Sequence, residues 1–446
     1  MKITLPKIEI NEDEDFSSEK DIFKRRDFGE RLISLFVNTQ EELVVGLNAP
    51  WGEGKSTFIK MWQNHIKLNQ DNIKIKTIYF DAFKNDYQKD PFLAITSEIY
   101  SLCNMKEESK KEFIKNAKEV GKSLVWGAFK LGTKLTTAGL VDETVLKNGA
   151  NDISSILNDN IEKLIENRIK NHEANKSALD KFKGDLEKFI ASEKPIVFII
   201  DELDRCRPDY ALELLEQIKH LFSVKNLHFL LVVNSKQLES SIKSKYGNEI
   251  NAHEYLQKFI TLTLELPKKS SEYDSYNETF MDWALDKMLN KDEKIQNLKL
   301  IETMKEIAKF YNLSFRKIER ILSNIAIIHN MSPNTRYYMY YQISMAFICF
   351  IKVENPEVFQ LLKNEKSSPD EIFKKIGLDR ISNENTYSEY YLLNLVKLLL
   401  IFDYSNQDEK KELLEKDENI KELFYRNYQT NIFKNIIEDL STLNNR

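Results

Sequence analysis

The first segment of this chain whose residues could do chemistry is APWGEGKST, residues 49–57. Main-chain amides that converge on a chain of phosphates can hold it, together with a cation and a hydroxyl that binds magnesium. Gly52 and Gly54 permit the tight loop, Lys55 supplies the cation and Ser56 supplies the hydroxyl, at the spacing of a P-loop. We therefore predict that this segment binds a nucleotide, with ATP and Mg²⁺ as the expected ligands. The predicted binding residues are Ala49, Pro50, Trp51, Gly52, Glu53, Gly54, Lys55, Ser56 and Thr57.

A second candidate segment is PIVFIIDELDRCRP, residues 195–208, in which an apolar run ends in two adjacent carboxylates. Ligands bind at the carboxyl ends of strands in α/β sheets. Asp201 is predicted to hold the magnesium together with Ser56, and Glu202 to polarise the water that attacks the terminal phosphate. The alternative is that Glu202 only caps the following helix.

A third candidate is Asn234, which ends the apolar run in HFLLVVNSKQLESSI. A polar side chain at this point could orient water against the terminal phosphate, as a sensor residue does. The alternative is that Asn234 or Ser235 caps the next helix.

The elements that must position these residues predict an α/β fold. Nearly all-apolar strands are typical of a parallel sheet covered on both faces, and helical patterns lie between them. A first helix is expected from about Asp21, before the first strand. The predicted strands are Leu43–Leu47, a run within Ile73–Phe83, PIVFIID at 195–201 and HFLLVVNS at 228–235.

The rest of the chain is predicted to be helical. About a hundred residues between the second and third strands contain no convincing strand, which predicts an insertion at about 104–190. Its first part is rich in glycine, and residues 151–190 resemble a helical hairpin. Beyond Pro267 we expect only helices, with YYMYYQISMAFICFI buried and a charged tail from about Ser368. The predicted organisation is an acidic segment at 1–20, a P-loop NTPase core at 21–267, a helical lid at 268–335 and a C-terminal helical domain at 336–446.

Several stretches, taken together and in order, resemble the KAP family of P-loop NTPases. They span about residues 21–325 and comprise PWGEGKST, YFDAF, IIDELDRCRPDYALELLEQIKHLF, FLLVVN, EYLQKFITLTLELP and LSFRKIERIL. The resemblance implies the additional-strand branch of the P-loop fold, alongside the AAA+ and STAND ATPases, with a helical region after the core. This chain departs from the family pattern at Ala49, where the first glycine is usual. It also has charges in the insertion, where many members carry membrane spans.

The resemblance also assigns arginines to the site. Asp204 and Arg205 match the acidic and basic pair that follows the magnesium-binding aspartate, and Arg316 and Arg320 lie where a sensor arginine would reach the nucleotide from the lid. Arg205 is therefore a candidate to complete a neighbouring subunit's site, which would make hydrolysis depend on assembly.

Other readings of the basic residues stay open. Arg207 is a further candidate to act on a neighbour, and the alternative for both Arg205 and Arg207 is pairing with Asp204, Asp209 or nearby helix carboxylates. The cluster FKRR at 23–26 could flank the nucleotide, or it could be a solvated helix face.

Composition excludes several classes of protein. The chain has 446 residues, a net charge of -5 and three cysteines, which excludes a histone-like role and a disulfide-stapled domain. The six histidines show no close ligand pair, so a zinc site is not expected. The segment LVWGAFKLGTKLTTAGLV at 124–141 carries two central lysines, which disfavour a membrane span. We expect a cytoplasmic protein.

The interpretation is an ATPase that switches its assembly or its hold on a partner. By family resemblance it would act in defence against bacteriophage with a separately encoded effector, as a homo-oligomer, for example a ring. The alternatives are a membrane-peripheral scaffold that uses the glycine-rich insertion, and a motor or sensor acting on nucleic acid, for which the sequence shows no basic, aromatic binding module.

Overall fold

The computed structural model describes residues 1–6, 8–16, 19–87, 90–101, 111–121, 176–191, 194–267, 276–331, 337–365, 367–381, 390–416 and 431–442. The chain forms two compact units. The sheet unit comprises Arg26–Ala49 and Phe58–Leu266, and the helical unit comprises Met1–Arg25, Pro50–Thr57 and Pro267–Arg446. The sequence-based boundaries near residues 20, 267 and 335 stay predictions.

The sheet unit is built on parallel strands. They are Val44–Asn48 (β1), Lys76–Asp81 (β2), Ile196–Asp201 (β3), Leu227–Val233 (β4) and Leu262–Glu265 (β5). Among the described residues they form one sheet in the order β2-β3-β4-β1-β5. The four predicted strands are confirmed, whereas β5 was missed. The reason is that β5 is a short edge strand whose residues are mostly exposed, so it lacks the apolar run that marks the others.

Parallel pairing brings the ends of three strands to one edge of the sheet. β3 and β4 are buried along their whole length, and Asp201 at the end of β3 aligns with Val232 of β4. β4 in turn aligns with β1, whose last residue, Asn48, lies opposite Val233. The residues that follow these strands, Ala49 and Asn234 among them, therefore begin at the same edge as Asp201.

Helices surround the sheet. They are Arg26–Asn38 (α1), Lys55–Leu68 (α2), Ala82–Asn85 (α3), Pro91–Ser101 (α4), 111–121 (α5), 176–191 (α6), Pro208–Leu221 (α7), Ser235–Tyr246 (α8) and Ala252–Leu256 (α9). The first helix begins at Arg26 rather than near Asp21. The fully buried Trp62 of α2 fixes α1, because its indole donates a hydrogen bond to the Gly29 carbonyl at 3.0 Å.

The predicted insertion is helical where the structure describes it. α5 and α6 pack together through Phe113 and Phe182, whose ring centroids are 5.5 Å apart, and Phe182 also contacts Phe92 of α4. The glycine-rich segment 124–141 and the first arm of the predicted hairpin lie outside the described residues.

The helical unit has its own apolar core. Its helices are Tyr276–Met288 (α10), Lys291–Gln296 (α11), Leu298–Phe310 (α12), Phe315–Met331 (α13), Met339–Glu354 (α14), Pro356–Lys363 (α15), Pro369–Ile376 (α16), Tyr391–Tyr404 (α17), Gln407–Lys416 (α18) and Ile432–Thr442 (α19). Every residue at 343–351 of α14 is buried, which confirms the predicted core helix. A helix that is apolar all round must be enclosed by others.

The expectation of a charged tail from Ser368 was wrong. α16, α17 and α19 contribute buried side chains to the same core as α14, among them Phe373, Leu393 and Phe433. The charge in this region is confined to the faces turned away from that core. Within the described residues no helix combines the length and the apolar character needed to cross a membrane.

Candidate nucleotide site

The P-loop depends on glycine at two positions. Gly52 and Gly54 have φ of +86° and +77°, which side chains with a Cβ rarely adopt. A Cβ on Gly52 would also lie 2.8 Å from the Cβ of Arg316, in the first turn of α13. Lys55 lies across the loop, since its Nζ donates to the Pro50 carbonyl at 3.2 Å. The loop therefore has the glycine-dependent geometry of a phosphate-binding turn.

Arg25 lies directly against this loop. It is 3% exposed, its guanidinium donates to the Glu53 carbonyl from both Nη atoms at 3.3 Å, and its Nε donates to the Pro267 carbonyl at 3.0 Å. The solvated-face interpretation of the FKRR cluster is therefore wrong for Arg25. It holds for Arg26, whose side chain is 56% exposed. A direct role of the cluster at the nucleotide stays a prediction.

The predicted magnesium ligand, Asp201, is held by two hydrogen bonds at the edge of the sheet. It is 1% exposed, its Oδ2 accepts from the Tyr79 hydroxyl at 3.0 Å, and its Oδ1 accepts from the Glu202 N–H at 2.9 Å. Burial and the charge of Asp201 both raise the pKa of Tyr79, so the hydroxyl remains a donor at neutral pH. Sequence analysis did not single out Tyr79. Its position on β2, two residues before the aligned pair Asp81 and Asp201, was the available signal.

Glu202 has an unusual backbone. Its φ of 62° and ψ of 22° are left-handed, a conformation that costs a residue with a Cβ on the order of 1 kcal/mol and that clusters at functional sites. Its side chain makes no capping hydrogen bond, so the capping alternative was wrong. Oε1 instead lies 3.1 Å from Nη1 of Arg205. Burial raises the pKa of Glu202, and the charge of Arg205 opposes that rise.

The two arginines after Asp201 have partners that the sequence did not predict. Arg205 pairs with Glu202, and Arg207 pairs with Asp86 at the end of α3, through its Nε at 2.6 Å and its main-chain N–H at 2.8 Å. Pairing with Asp204 or Asp209 was therefore wrong for both. The contact with Asp86 joins the start of α7 to α3.

Asn234 is half-buried just before α8, and its side chain makes no capping hydrogen bond. The first amide of the helix, that of Ser235, is satisfied by Oδ1 of Asn48 at 2.9 Å instead. The capping alternative was therefore wrong for the Asn234 side chain. Its amide makes no hydrogen bond to any residue that the structure describes.

Arg316 and Arg320 lie one turn apart on α13. In the helical unit they line a cleft of about 550 Å³ together with Glu319, Lys352 and other polar residues. Within the described parts of the chain, neither guanidinium forms a hydrogen bond or an ion pair. The cleft therefore presents positive charge that the described side chains leave open for an anion.

Comparison with known families decides the class of this fold. The sequence profile of the KAP family P-loop domain matches residues 25–332, more than half of the chain. The chain belongs to the KAP family of P-loop NTPases. This KAP protein thus has the nucleotide-binding, NTP-hydrolysing fold that the P-loop and the Asp201–Glu202 pair indicate, and its strand order is that of the additional-strand branch.

Solved structures with a similar course include ATPases of replication initiation. ORC2 of Aeropyrum pernix, in ADPNP–ADP complexes, is 13% identical, with 94% of this chain and 95% of that one covered at a TM-score of 0.35. ORC1 of Aeropyrum pernix in complex with DNA is 12% identical, with 95% and 84% covered at 0.33. Cdc6p of Pyrobaculum aerophilum is 11% identical, with 95% of each chain covered at 0.34. Likenesses this distant assign no function. No curated protein matches the sequence.

Proposed function

We propose that this KAP NTPase binds ATP with Mg²⁺ and hydrolyses it. The observation that carries the proposal is the left-handed Glu202, presented beside the buried Asp201 at the sheet edge where β1 leads into a glycine-dependent P-loop. Strained backbone of this kind persists where function requires it. In P-loop NTPases the loop and the carboxylates at the end of the third strand act on one nucleotide.

The residues present fit a magnesium ion. Mg²⁺ prefers hard oxygen ligands and is usually held by one or two protein groups together with phosphates. Asp201 offers a buried carboxylate that is oriented by Tyr79, and Ser56 offers a hydroxyl at the start of α2. When bound, the ion would neutralise phosphate charge.

The hydrolytic roles follow from the chemistry of each side chain. Glu202 accepts a proton from the attacking water, since its raised pKa still leaves a carboxylate available as a base. Asn234 has an amide that makes no hydrogen bond to described residues and orients that water. Arg316, whose helix begins against Gly52, neutralises charge on the phosphates.

Nucleotide binding is tested with Lys55→Ala and with Lys60→Ala, an exposed lysine one turn further along α2, as the matched control. Fluorescent ATP should bind the wild type and Lys60→Ala equally and should not bind Lys55→Ala, because only Lys55 lies across the P-loop. Equal affinity in all three proteins would refute the P-loop assignment. Omission of Mg²⁺ should weaken ATP binding and stop hydrolysis in the wild type.

We further propose that hydrolysis is completed by an arginine from a neighbouring copy of the chain, so that ATP switches assembly. Arg320 is the best candidate, since Arg205 and Arg207 are paired within their own chain whereas Arg320 is exposed in the cleft. A mixture of Arg320→Ala with Lys55→Ala should then recover activity that neither has alone. Activity proportional to protein concentration at every dilution, without recovery on mixing, would refute this.

The wider role we propose is anti-phage defence in the cytoplasm, with a separately encoded effector that reads the assembly state. The family membership supports it. Recovery of one co-purifying effector protein from cells under phage challenge, retained by Glu202→Gln and lost with Lys55→Ala, is the expected result. ATPase activity that rises only with DNA, or only with liposomes, would instead favour the nucleic-acid or the membrane-peripheral alternative.

A further inference from the structure

The buried arginine behind the P-loop has a geometry that bears on phosphate binding. Arg25 precedes α1, and its guanidinium reaches the carbonyl of Glu53, the residue between the two left-handed glycines. It also lies 3.4 Å from where a Cβ on Gly54 would be. Arg25 therefore contacts the part of the loop that a phosphate must use.

The peptide bond itself links this contact to the ligand. A peptide plane is rigid, and in a trans peptide the C=O and the following N–H point in opposite directions. The backbone has no cis peptide bond in the described residues. An arginine that fixes the Glu53 carbonyl on one side of the loop therefore fixes the Gly54 N–H toward the other side. A cation at the carbonyl also polarises the peptide, which makes that N–H a stronger donor.

Arg25 cannot easily swing away from this position. Its main-chain N–H donates to Oδ1 of Asp21 at 3.0 Å, and its guanidinium lies 4.6 Å from the centre of the Phe23 ring. Phe23 in turn stacks on Phe315 at 4.8 Å, and Phe315 stacks on Phe280 at 4.1 Å. The aromatic stack holds the segment before α1 in place, so the arginine is preorganised.

We propose that Arg25 is a positioning residue that orients the Glu53–Gly54 peptide so that the Gly54 N–H points at the nucleotide phosphates. This inference rests on the proposed nucleotide binding. It assigns a role to a residue outside the P-loop, contributed by a segment that precedes the first strand. Arg25 itself need not touch the nucleotide.

The test compares Arg25→Met, Arg25→Lys and Arg26→Met. Arg26→Met is the matched control because Arg26 is the next residue in the chain, exposed, and 3.7 Å from its partner Glu30. ADP and ATP affinities are measured by calorimetry, together with the Tm of each nucleotide-free protein. The orientation of the peptide is read from the Gly54 amide in spectra of protein labelled with ¹⁵N-glycine, which has only 12 glycine resonances; Gly54→Ala identifies the signal.

Arg25→Met should weaken ADP and ATP binding about tenfold, the loss of one charge-assisted hydrogen bond to phosphate, and should shift the Gly54 amide before nucleotide is added. Arg25→Lys, which keeps the charge but lacks the fork, should fall in between. Arg26→Met should match the wild type.

A lower Tm with unchanged affinities and an unmoved Gly54 amide would show a merely structural arginine and overturn the inference. If Arg25→Met does not fold, the same two readouts on Arg25→Lys decide. Should the wild type itself bind no nucleotide, the proposed function fails. The Gly54 amide shift then still tests the peptide orientation.

Discussion

The P-loop and the carboxylate edge of the sheet use different parts of the chain for their chemistry. The P-loop presents main-chain groups, and its shape depends on two left-handed glycines and on Arg25, which binds a main-chain carbonyl. The carboxylate edge presents side chains, and these are held by other side chains: Tyr79 holds Asp201, and Arg205 pairs with Glu202. The backbone at Glu202 is as left-handed as that of the glycines, yet the residue is not glycine.

This difference indicates which property each region can lose. A main-chain site fails when the backbone cannot adopt its shape, whereas a side-chain site fails when one functional group is removed. Changes in the P-loop should therefore affect nucleotide affinity. Changes at the carboxylate edge should affect hydrolysis or the magnesium requirement while ATP still binds.

The largest effect is expected for Gly52→Ala. The methyl group would meet the Cβ of Arg316 at 2.8 Å, and alanine disfavours a φ of +86°. ATP affinity should fall more than about a hundredfold, because both the loop and the start of α13 must move. Gly184→Ala is the matched control. It lies in α6 with no atom within 4 Å of the added Cβ, and should leave affinity unchanged and raise the free energy of unfolding by about 0.5–1 kcal/mol.

Unchanged ATP affinity in Gly52→Ala would mean that the P-loop does not depend on its backbone shape, and the contrast between the two regions would fail.

The next largest effect is expected for Glu202→Gln, which preserves the size of the side chain and removes the base. ATP hydrolysis should fall about 10²- to 10⁴-fold while ATP affinity stays within about twofold. Single-turnover assays and calorimetry separate the two quantities. Glu249→Gln, an exposed carboxylate between α8 and α9, is the control and should match the wild type. Loss of binding in Glu202→Gln would place Glu202 in the binding of nucleotide rather than in hydrolysis.

A smaller effect is expected for Tyr79→Phe, which removes only the hydroxyl that donates to Asp201. Partners that orient a metal ligand typically contribute tenfold or more to metal affinity, so the Mg²⁺ concentration for half-maximal ATP binding should rise roughly tenfold. ATP affinity at saturating Mg²⁺ should not change. Tyr87→Phe, whose ring is 80% exposed, is the control. An unchanged Mg²⁺ requirement would show that Asp201 does not need the tyrosine.

Much of the fold could be predicted because its signals are local. β3 and β4 are apolar runs, and α14 is apolar on every side, so burial could be inferred from composition alone. β5 was missed because an exposed edge strand pairs through its backbone, which leaves little trace in side-chain type. The charged tail was misread because α17 and α19 are separated along the chain by polar residues, and only the tertiary core shows where their apolar sides pack.

The candidate site divides in the same way. The P-loop, Asp201 and Glu202 follow from motif spacing, since the chemistry requires those residue types in that order. The partners Tyr79 and Arg25 could not be derived, because one comes from another strand and the other from the segment before α1. A contact between residues far apart in sequence has no periodic signature. The same holds for the pairing of Arg207 with Asp86.

The smallest effect is expected for Arg205→Ala, which tests whether its pairing with Glu202 tunes the catalytic base. Burial raises the pKa of Glu202 above its ordinary value, so activity should be lost as the pH falls through that raised pKa. Arg205 lowers the same pKa, so its removal should move the acidic limb of the pH–rate profile to higher pH. At pH 7 the rate should change by no more than about fivefold, because a partly exposed ion pair contributes at most roughly 1 kcal/mol.

Arg205→Lys keeps the charge and should restore the wild-type limb, which distinguishes an electrostatic effect from lost packing. ATP affinity should be the same in all three proteins, because the pair lies at the carboxylate edge and not in the P-loop. A rate loss of a thousandfold with an unmoved limb would contradict this prediction. It would show instead that Arg205 leaves Glu202 to stabilise transition-state charge, as an arginine supplied to a neighbouring subunit would. The pH profile, rather than the size of the rate loss alone, therefore separates the two roles of this arginine.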